Sequence, residues 1–123
     1  MSYFRGFYDK TFRLSVKLFV YNAIWNLFRI KRAGRSVINT ATDIYSQDVL
    51  VLACILIAGS GNSYMRLLEE AVNKNKSRYA NMVLIDILAS ISTTESKLLL
   101  NIIASNDDEE VMKEACSAIH EIV

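Results

Sequence analysis

Two stretches of the C-terminal half decide the fold. Residues 64–91 read YMRLLEEAVNKNKSRYANMVLIDILASI, and residues 95–122 read ESKLLLNIIASNDDEEVMKEACSAIHEI. At an offset of 31 residues they align without a gap. Arg66-Leu67-Leu68 falls on Lys97-Leu98-Leu99, Ala71-Val72 on Ile102-Ile103, and Asn75 on Asn106. Further on, Ala80, Leu84, Ile85, Leu88 and Ile91 fall on Val111, Ala115, Cys116, Ile119 and Ile122. Each unit carries two apolar bursts at helical spacing. A period near 30 with two bursts is the mark of stacked helical hairpins, since one hairpin alone leaves an apolar face uncovered. Working outward, the same offset carries Leu56-Ile57-Ala58 onto Ile87-Leu88-Ala89. A fainter unit sets residues 35–41 under residues 66–72, with Val37 and Ala41 fitting and Ser36 not.

Helix punctuation follows the same period. Thr94 precedes an expected helix over 95–104, Ser77 caps one over 77–90, and Ser63 one over 64–72. Asn106-Asp107-Asp108-Glu109 reads as an N-cap at Asn106 followed by an acidic first turn, giving a helix over 107–122. Gly59 and Gly61 suit the exit of a helix over 46–58. A weak helix is expected near 35–42 and one long helix or two over 3–31. The expected fold is a single all-α domain over 1–123. It combines an aromatic-rich N-terminal helical segment, 1–32, with about three hairpin repeats of roughly 31 residues over 33–123, in a right-handed stack.

Composition supports this class and narrows the function. The chain has 123 residues, 52% of them hydrophobic, with no proline and four glycines, which argues against a turn-rich all-β fold. Two cysteines and one histidine argue against a zinc module or a disulfide scaffold. No secretory signal pattern opens the chain. The apolar runs 18–28 and 49–58 are shorter than the about 20 residues that span a bilayer. A cytoplasmic chain with reduced cysteines is expected.

The repeat units resemble HEAT-like repeats, antiparallel helix pairs stacked into a short solenoid. The resemblance covers about 35–123. Its residues are Leu67-Leu68, Ala71-Val72, Ala80, Leu84-Ile85 and Leu88, with their partners in the second unit. The units are short for that family and lack the proline often found in its first helix. The resemblance implies an interaction surface rather than a catalytic site.

The residue types that carry chemistry do not assemble into a reaction. His120 is the only histidine, and its repeat equivalents are Ala89 and Ala58. Asp107-Asp108-Glu109-Glu110 lacks the alternating ligands and turn glycine of a calcium loop. Acids at that place suit the amides and dipole of a helix start. Gly59-Ser60-Gly61 has no lysine-serine after it and no strand before it, so it is no phosphate loop. No catalytic residue, metal or cofactor is expected, and the chain is read as a non-enzyme.

Charge is the informative feature. Residues 1–35 hold eight basic residues against one acid, Asp9, a surplus of seven. Residues 36–123 hold six basic residues against twelve acids, a deficit of six. Asp86 interrupts the apolar run Val83-Leu84-Ile85-Asp86-Ile87-Leu88; with Leu84, Ile87, Leu88 and Ile91 facing the core it points away from it. On an exposed second-helix surface, Arg78, Asn81, Asp86 and Ser90 would stand beside Glu109, Glu110, Lys113, Ser117 and Glu121. Asp86, Asp107, Asp108, Glu109, Glu110, Glu114 and Glu121 are the expected partner-binding residues.

Nine of the twelve aromatics lie within the first 28 residues. Phe12, Phe19, Trp25 and Phe28 are expected to anchor a terminal helix on the array. The cluster Arg29, Lys31, Arg32 and Arg35 is expected at that helix's C-terminal end, where cations are favoured.

Three functions follow from this pattern. The first is a small protein-binding module whose acidic half covers a basic protein. In size and character the chain resembles the all-helical immunity proteins of contact-dependent growth inhibition systems, which implies a basic, nuclease-like toxin domain as partner. The second is a nucleic-acid-binding module using residues 5–35, above all Arg29, Lys31, Arg32 and Arg35. The third is a peripheral membrane adaptor.

Overall fold

The computed structural model describes the backbone of residues 2–44, 46–74 and 77–122, and the side chains of these stretches from Phe12 onward. The side chains of Tyr3, Phe4, Arg5, Phe7, Tyr8 and Lys10, and Asn75 of the repeat alignment, lie outside the described residues. Among the described residues the chain is all-helical and has no strand. The helices are α1 (Ser2–Phe28), α2 (Lys31–Asp43), α3 (Gln47–Gly59), α4 (Met65–Lys74), α5 (Arg78–Ile91), α6 (Thr94–Ala104) and α7 (Glu109–Glu121). A 3-10 turn, Gly61–Tyr64, leads into α4.

Three N-caps carry the period. Ser46 accepts from the Val49 N–H, Ser77 from the Ala80 N–H, and Asp108 from the N–H groups of Glu110 and Val111. They stand 31 residues apart and open α3, α5 and α7. Each supplies an acceptor to amides that the helix itself leaves unpaired. The expected cap at Asn106 moves two residues on. Asn106 instead accepts the Asp108 N–H at 2.8 Å and holds the cap residue in place. Ser63 caps nothing: it lies in the 3-10 turn, and its hydroxyl donates to Asn26 of α1. Helix α6 starts from a capping box between Thr93 and Ser96.

Helices α3, α5 and α7 pack side by side, as do α2, α4 and α6, and α1 lies on α2 and α3. The core runs through Leu68, Leu84, Leu88, Leu100, Val111 and Ala115, all fully buried. Leu68 and Val72 of α4 correspond to Leu99 and Ile103 of α6, and all four are buried. Their neighbours differ. Leu67 is buried and Ala71 half-buried, whereas Leu98 and Ile102 are exposed. The reason is positional: α6 covers α4, and no described helix covers α6 in turn.

The same reason corrects the cysteine column. Ile85 is buried beneath α7, but its equivalent Cys116 is exposed on α7, and Cys54 is half-buried on α3. Both thiols are free.

The aromatic anchors are also corrected. Only Trp25 is buried; Phe12, Phe19 and Phe28 are 67%, 54% and 70% exposed. The core-facing residues of α1 are Leu14, Leu18, Tyr21 and Trp25, spaced by four, three and four. The three phenylalanines fall outside that face. Helix α1 ends at Phe28 with Arg29 in the left-handed region, φ 55°, so Lys31 and Arg32 do not close α1. They open α2 instead, at the end of the helix dipole that cations disfavour.

A polar joint holds α1 to the turn between α3 and α4. The Tyr64 hydroxyl, fully buried, donates to Asn22 Oδ1 at 2.7 Å. Asn26 Nδ2 donates to Ser60 Oγ at 3.0 Å, and Ser63 Oγ donates to Asn26 Oδ1 at 3.1 Å. The chain bends by 116° at this turn. Two asparagines in an apolar helix therefore meet acceptors and donors that only the bend supplies.

Candidate protein-docking face on α3, α5 and α7

The N-cap period sets equivalent residues of α3, α5 and α7 on one outer surface. Ile55, Asp86 and Ser117 are one such row, and all three are exposed. The other member of the expected surface that matters, Asn81, is 4% exposed and belongs to the core side of α5. Val51 and Ile55 are 47% and 62% exposed and place an apolar ridge on α3 next to this row. Between α3 and α5 lies an open groove of about 450 Å³, lined in part by Val51, Cys54, Asp86 and Ser90.

The acids of this face divide into two groups. Asp108 is held by Arg78 at 2.7 Å, and Glu110 by the same guanidinium at 3.4 Å. Glu109 pairs with Lys113 one helical turn away. Arg78 and the backbone amides of α7 hold the Asp108 carboxyl below the usual carboxylate range, the hydrogen bond from Arg78 being the largest influence. These three acids are neutralised within the chain.

Asp86, Glu114 and Glu121 form the second group. Among the described residues no Lys or Arg side chain pairs with any of them. Glu114 and Glu121, seven residues apart, lie on one side of α7. Asp86 has its carboxyl pushed above the usual range, first by partial burial and then by the nearby charge of Glu114. Burial and a like charge both disfavour the ionised form. The Cys54 thiol is pushed up in the same way, chiefly by burial, so it is a poor nucleophile at neutral pH. His120 and Asp107 are exposed and touch none of this.

Searches of protein families, curated proteins and solved structures find no match for this chain. Its function is therefore argued from its own residues.

No group of three or more His, Cys, Asp or Glu residues among those described is arranged to hold a metal ion. The run 107–110 is spent on the cap and the ion pairs given above. On the opposite side of the molecule, Arg29, Lys31, Arg32 and Arg35 are all exposed. Arg29 stacks over the Trp25 ring at 5.3 Å, and Arg35 pairs with Glu70 at 3.1 Å. Lys17, Arg32 and Arg35 line a second open groove, of about 480 Å³, between α1 and α2. Sequence reasoning found Asp86 and the acids of α7. It missed the apolar ridge of Val51 and Ile55, whose only signal was that Ile55 is the repeat equivalent of Asp86.

Proposed function

We propose that the chain is a non-enzymatic protein-binding module, a short HEAT-like stack of helix hairpins whose outer α3–α5–α7 face binds a basic protein. The observation that carries this reading is the placement of Asp86 and Glu114 side by side with no cation between them. Two like charges at a partly desolvated place raise the free energy of the unbound chain. A lysine or arginine from a partner relieves it. The ridge of Val51 and Ile55 beside them supplies the apolar contact that an interface core needs. Asp107, Asp108, Glu109 and Glu110 extend the acidic rim, where they steer association more than they hold the complex.

The partner class is a basic toxin domain of the nuclease type, since enzymes that act on polyanions carry cationic sites. The chain acts on this reading as a cytoplasmic immunity-type inhibitor. The test is co-expression with the protein encoded beside it, followed by binding kinetics with purified components. Asp86→Lys with Glu114→Lys is expected to abolish binding and protection from the toxin. Reversal at Asp107 and Glu109 is expected to slow association and reduce its salt dependence. Unchanged affinity in the Asp86/Glu114 variant would reject this face. Salt-sensitive capture of single-stranded oligonucleotides through Arg29, Lys31, Arg32 and Arg35, with no protein bound, would favour the nucleic-acid reading instead.

A further inference from the structure

Helix α1 has two apolar faces, and the fold covers one. Leu14, Leu18, Tyr21 and Trp25 point inward. Phe12, Val16, Phe19, Val20 and Leu27 are between 43% and 74% exposed. At about 100° per residue, the centres of these two sets lie roughly 180° apart on the helix. At about 1.5 Å per residue, the outer stripe is roughly 22 Å long. Scattered exposed apolar residues are ordinary, but a continuous stripe of this size marks a surface that something covers.

The charges around the stripe identify the chemistry of what covers it. Arg13 and Lys17 lie along one edge and are exposed. Beyond them, Lys17, Arg32 and Arg35 line the groove between α1 and α2. No acid occurs between Asp9 and Asp43. The first turn of α2 holds Lys31 and Arg32, no acid, and no side-chain cap. An apolar helix face edged by cations matches an anionic lipid surface, where the face enters the acyl boundary and the cations meet phosphates.

The other occupants fit less well. Single-stranded nucleic acid gains from stacking on aromatic rings. Val16, Val20 and Leu27 offer none. A second copy packed antiparallel through this stripe would set its Arg13–Lys17 edge against the same edge of the first. No acid lies near enough in sequence to offset that repulsion.

We propose that α1 lies on anionic membrane surfaces, with Phe12, Val16, Phe19, Val20 and Leu27 inserted and the Lys17–Arg32 groove on the headgroups. The face is opposite in chemistry to the acidic one and does not depend on it. No single helix among those described is long and apolar enough to cross a membrane, so this contact is with the surface only.

The test is sedimentation of the whole chain with vesicles of phosphatidylcholine alone and of equal parts phosphatidylcholine and phosphatidylglycerol. Binding to the anionic vesicles is expected, weakening as salt is raised. Phe19→Ser with Val20→Ser is expected to reduce partitioning about tenfold or more, from the apolar area withheld. Lys17→Glu with Arg32→Glu is expected to reduce it similarly while leaving every core residue in place. Far-UV circular dichroism checks that the variants remain helical, and the charge pair carries the test if the serine pair unfolds. Failure to sediment with anionic vesicles, or binding that neither pair of substitutions alters, overturns the proposal. So does a solution dimer that Phe19→Ser dissociates, or oligonucleotide binding without vesicle binding.

Discussion

Arg78 donates from Nε to Asp108 Oδ2 across 2.7 Å and so ties the first turn of α5 to the N-cap of α7. One carboxylate then does two structural tasks. Its Oδ1 accepts the first amides of α7, and its Oδ2 receives the guanidinium of the preceding repeat. An acid that looks like part of an acidic docking run is in fact a joint between successive helix hairpins.

A pH dependence follows from this joint. Because Asp108 is held below the usual carboxylate range when folded, its ionised form is favoured by folding. The contribution is present above about pH 4, the ordinary carboxylate value, and is lost as pH falls through the lower folded value. Asp86 has the opposite sign. Its folded value is raised, so ionised Asp86 weakens the fold at neutral pH, and protonation relieves it. Thermal melts are expected to show Asp108→Asn less stable and Asp86→Asn slightly more stable at pH 7. At pH 3 both differences are expected to shrink.

Tyr64 carries the joint between α1 and the bend. Tyr64→Phe removes the donor to Asn22 and is expected to cost about 1 kcal/mol. Tyr64→Ala also empties a fully buried site and is expected to cost about 3–5 kcal/mol. Urea unfolding followed by circular dichroism separates the two. Burial pushes the Tyr64 hydroxyl well above its usual value. Its contribution is therefore complete below about pH 10 and lost as pH rises beyond that. Tyr64→Phe is expected to lose this alkaline component.

Gly34 sits in α2 where a Cβ would run into Leu67 Cδ1 and come 2.9 Å from Trp25 Cδ2. In an exposed helix, alanine in place of glycine gains about 1 kcal/mol. Here overpacking, at about 1–3 kcal/mol, exceeds that gain, because the Trp25 ring is wedged against Tyr64 at 5.9 Å between centroids. Gly34→Ala is expected to be net destabilising in the same urea assay.

The two thiols are expected to differ. Cys116 is exposed and should label with a maleimide in the native protein. Cys54 is half-buried, and its thiol is held in the protonated form, so it should label slowly until the chain unfolds. Mass spectrometry of labelled peptides after a short pulse measures both.

Thr93→Ala breaks the capping box at the start of α6. It is expected to cost about 1 kcal/mol. Restoring the acceptor with Thr93→Ser is expected to recover most of it.

Much of the fold was legible in the chain. Ser77 and the apolar spacing of residues 80–91 place α5, because a cap and a one-sided stripe are local properties of consecutive residues. Asp86 was read correctly as outward-facing from the same spacing. The cap of α7 was misplaced onto Asn106, since two adjacent acids and an asparagine all satisfy the local rule. The choice among them depends on Arg78, which lies 30 residues away.

The sequence by itself determined the all-helical class, the 31-residue spacing of three N-caps and the opposite charge of its two ends. These are properties of neighbours along the chain. Only the tertiary structure decided which apolar residues are covered. Ile85 and Cys116 occupy equivalent positions, yet one is buried and the other exposed, because α7 covers the first and no described helix covers the second. Leu18 and Phe19 are adjacent and both apolar, yet Leu18 is fully buried and Phe19 is 54% exposed. Successive residues of a helix point about 100° apart, and α2 and α3 pack against one side of α1 alone. Likewise Asp108 and Glu114 are both acids of one helix region, but only Asp108 is within reach of a guanidinium. Burial and pairing are properties of the neighbour supplied by another part of the chain, and residue type does not record them.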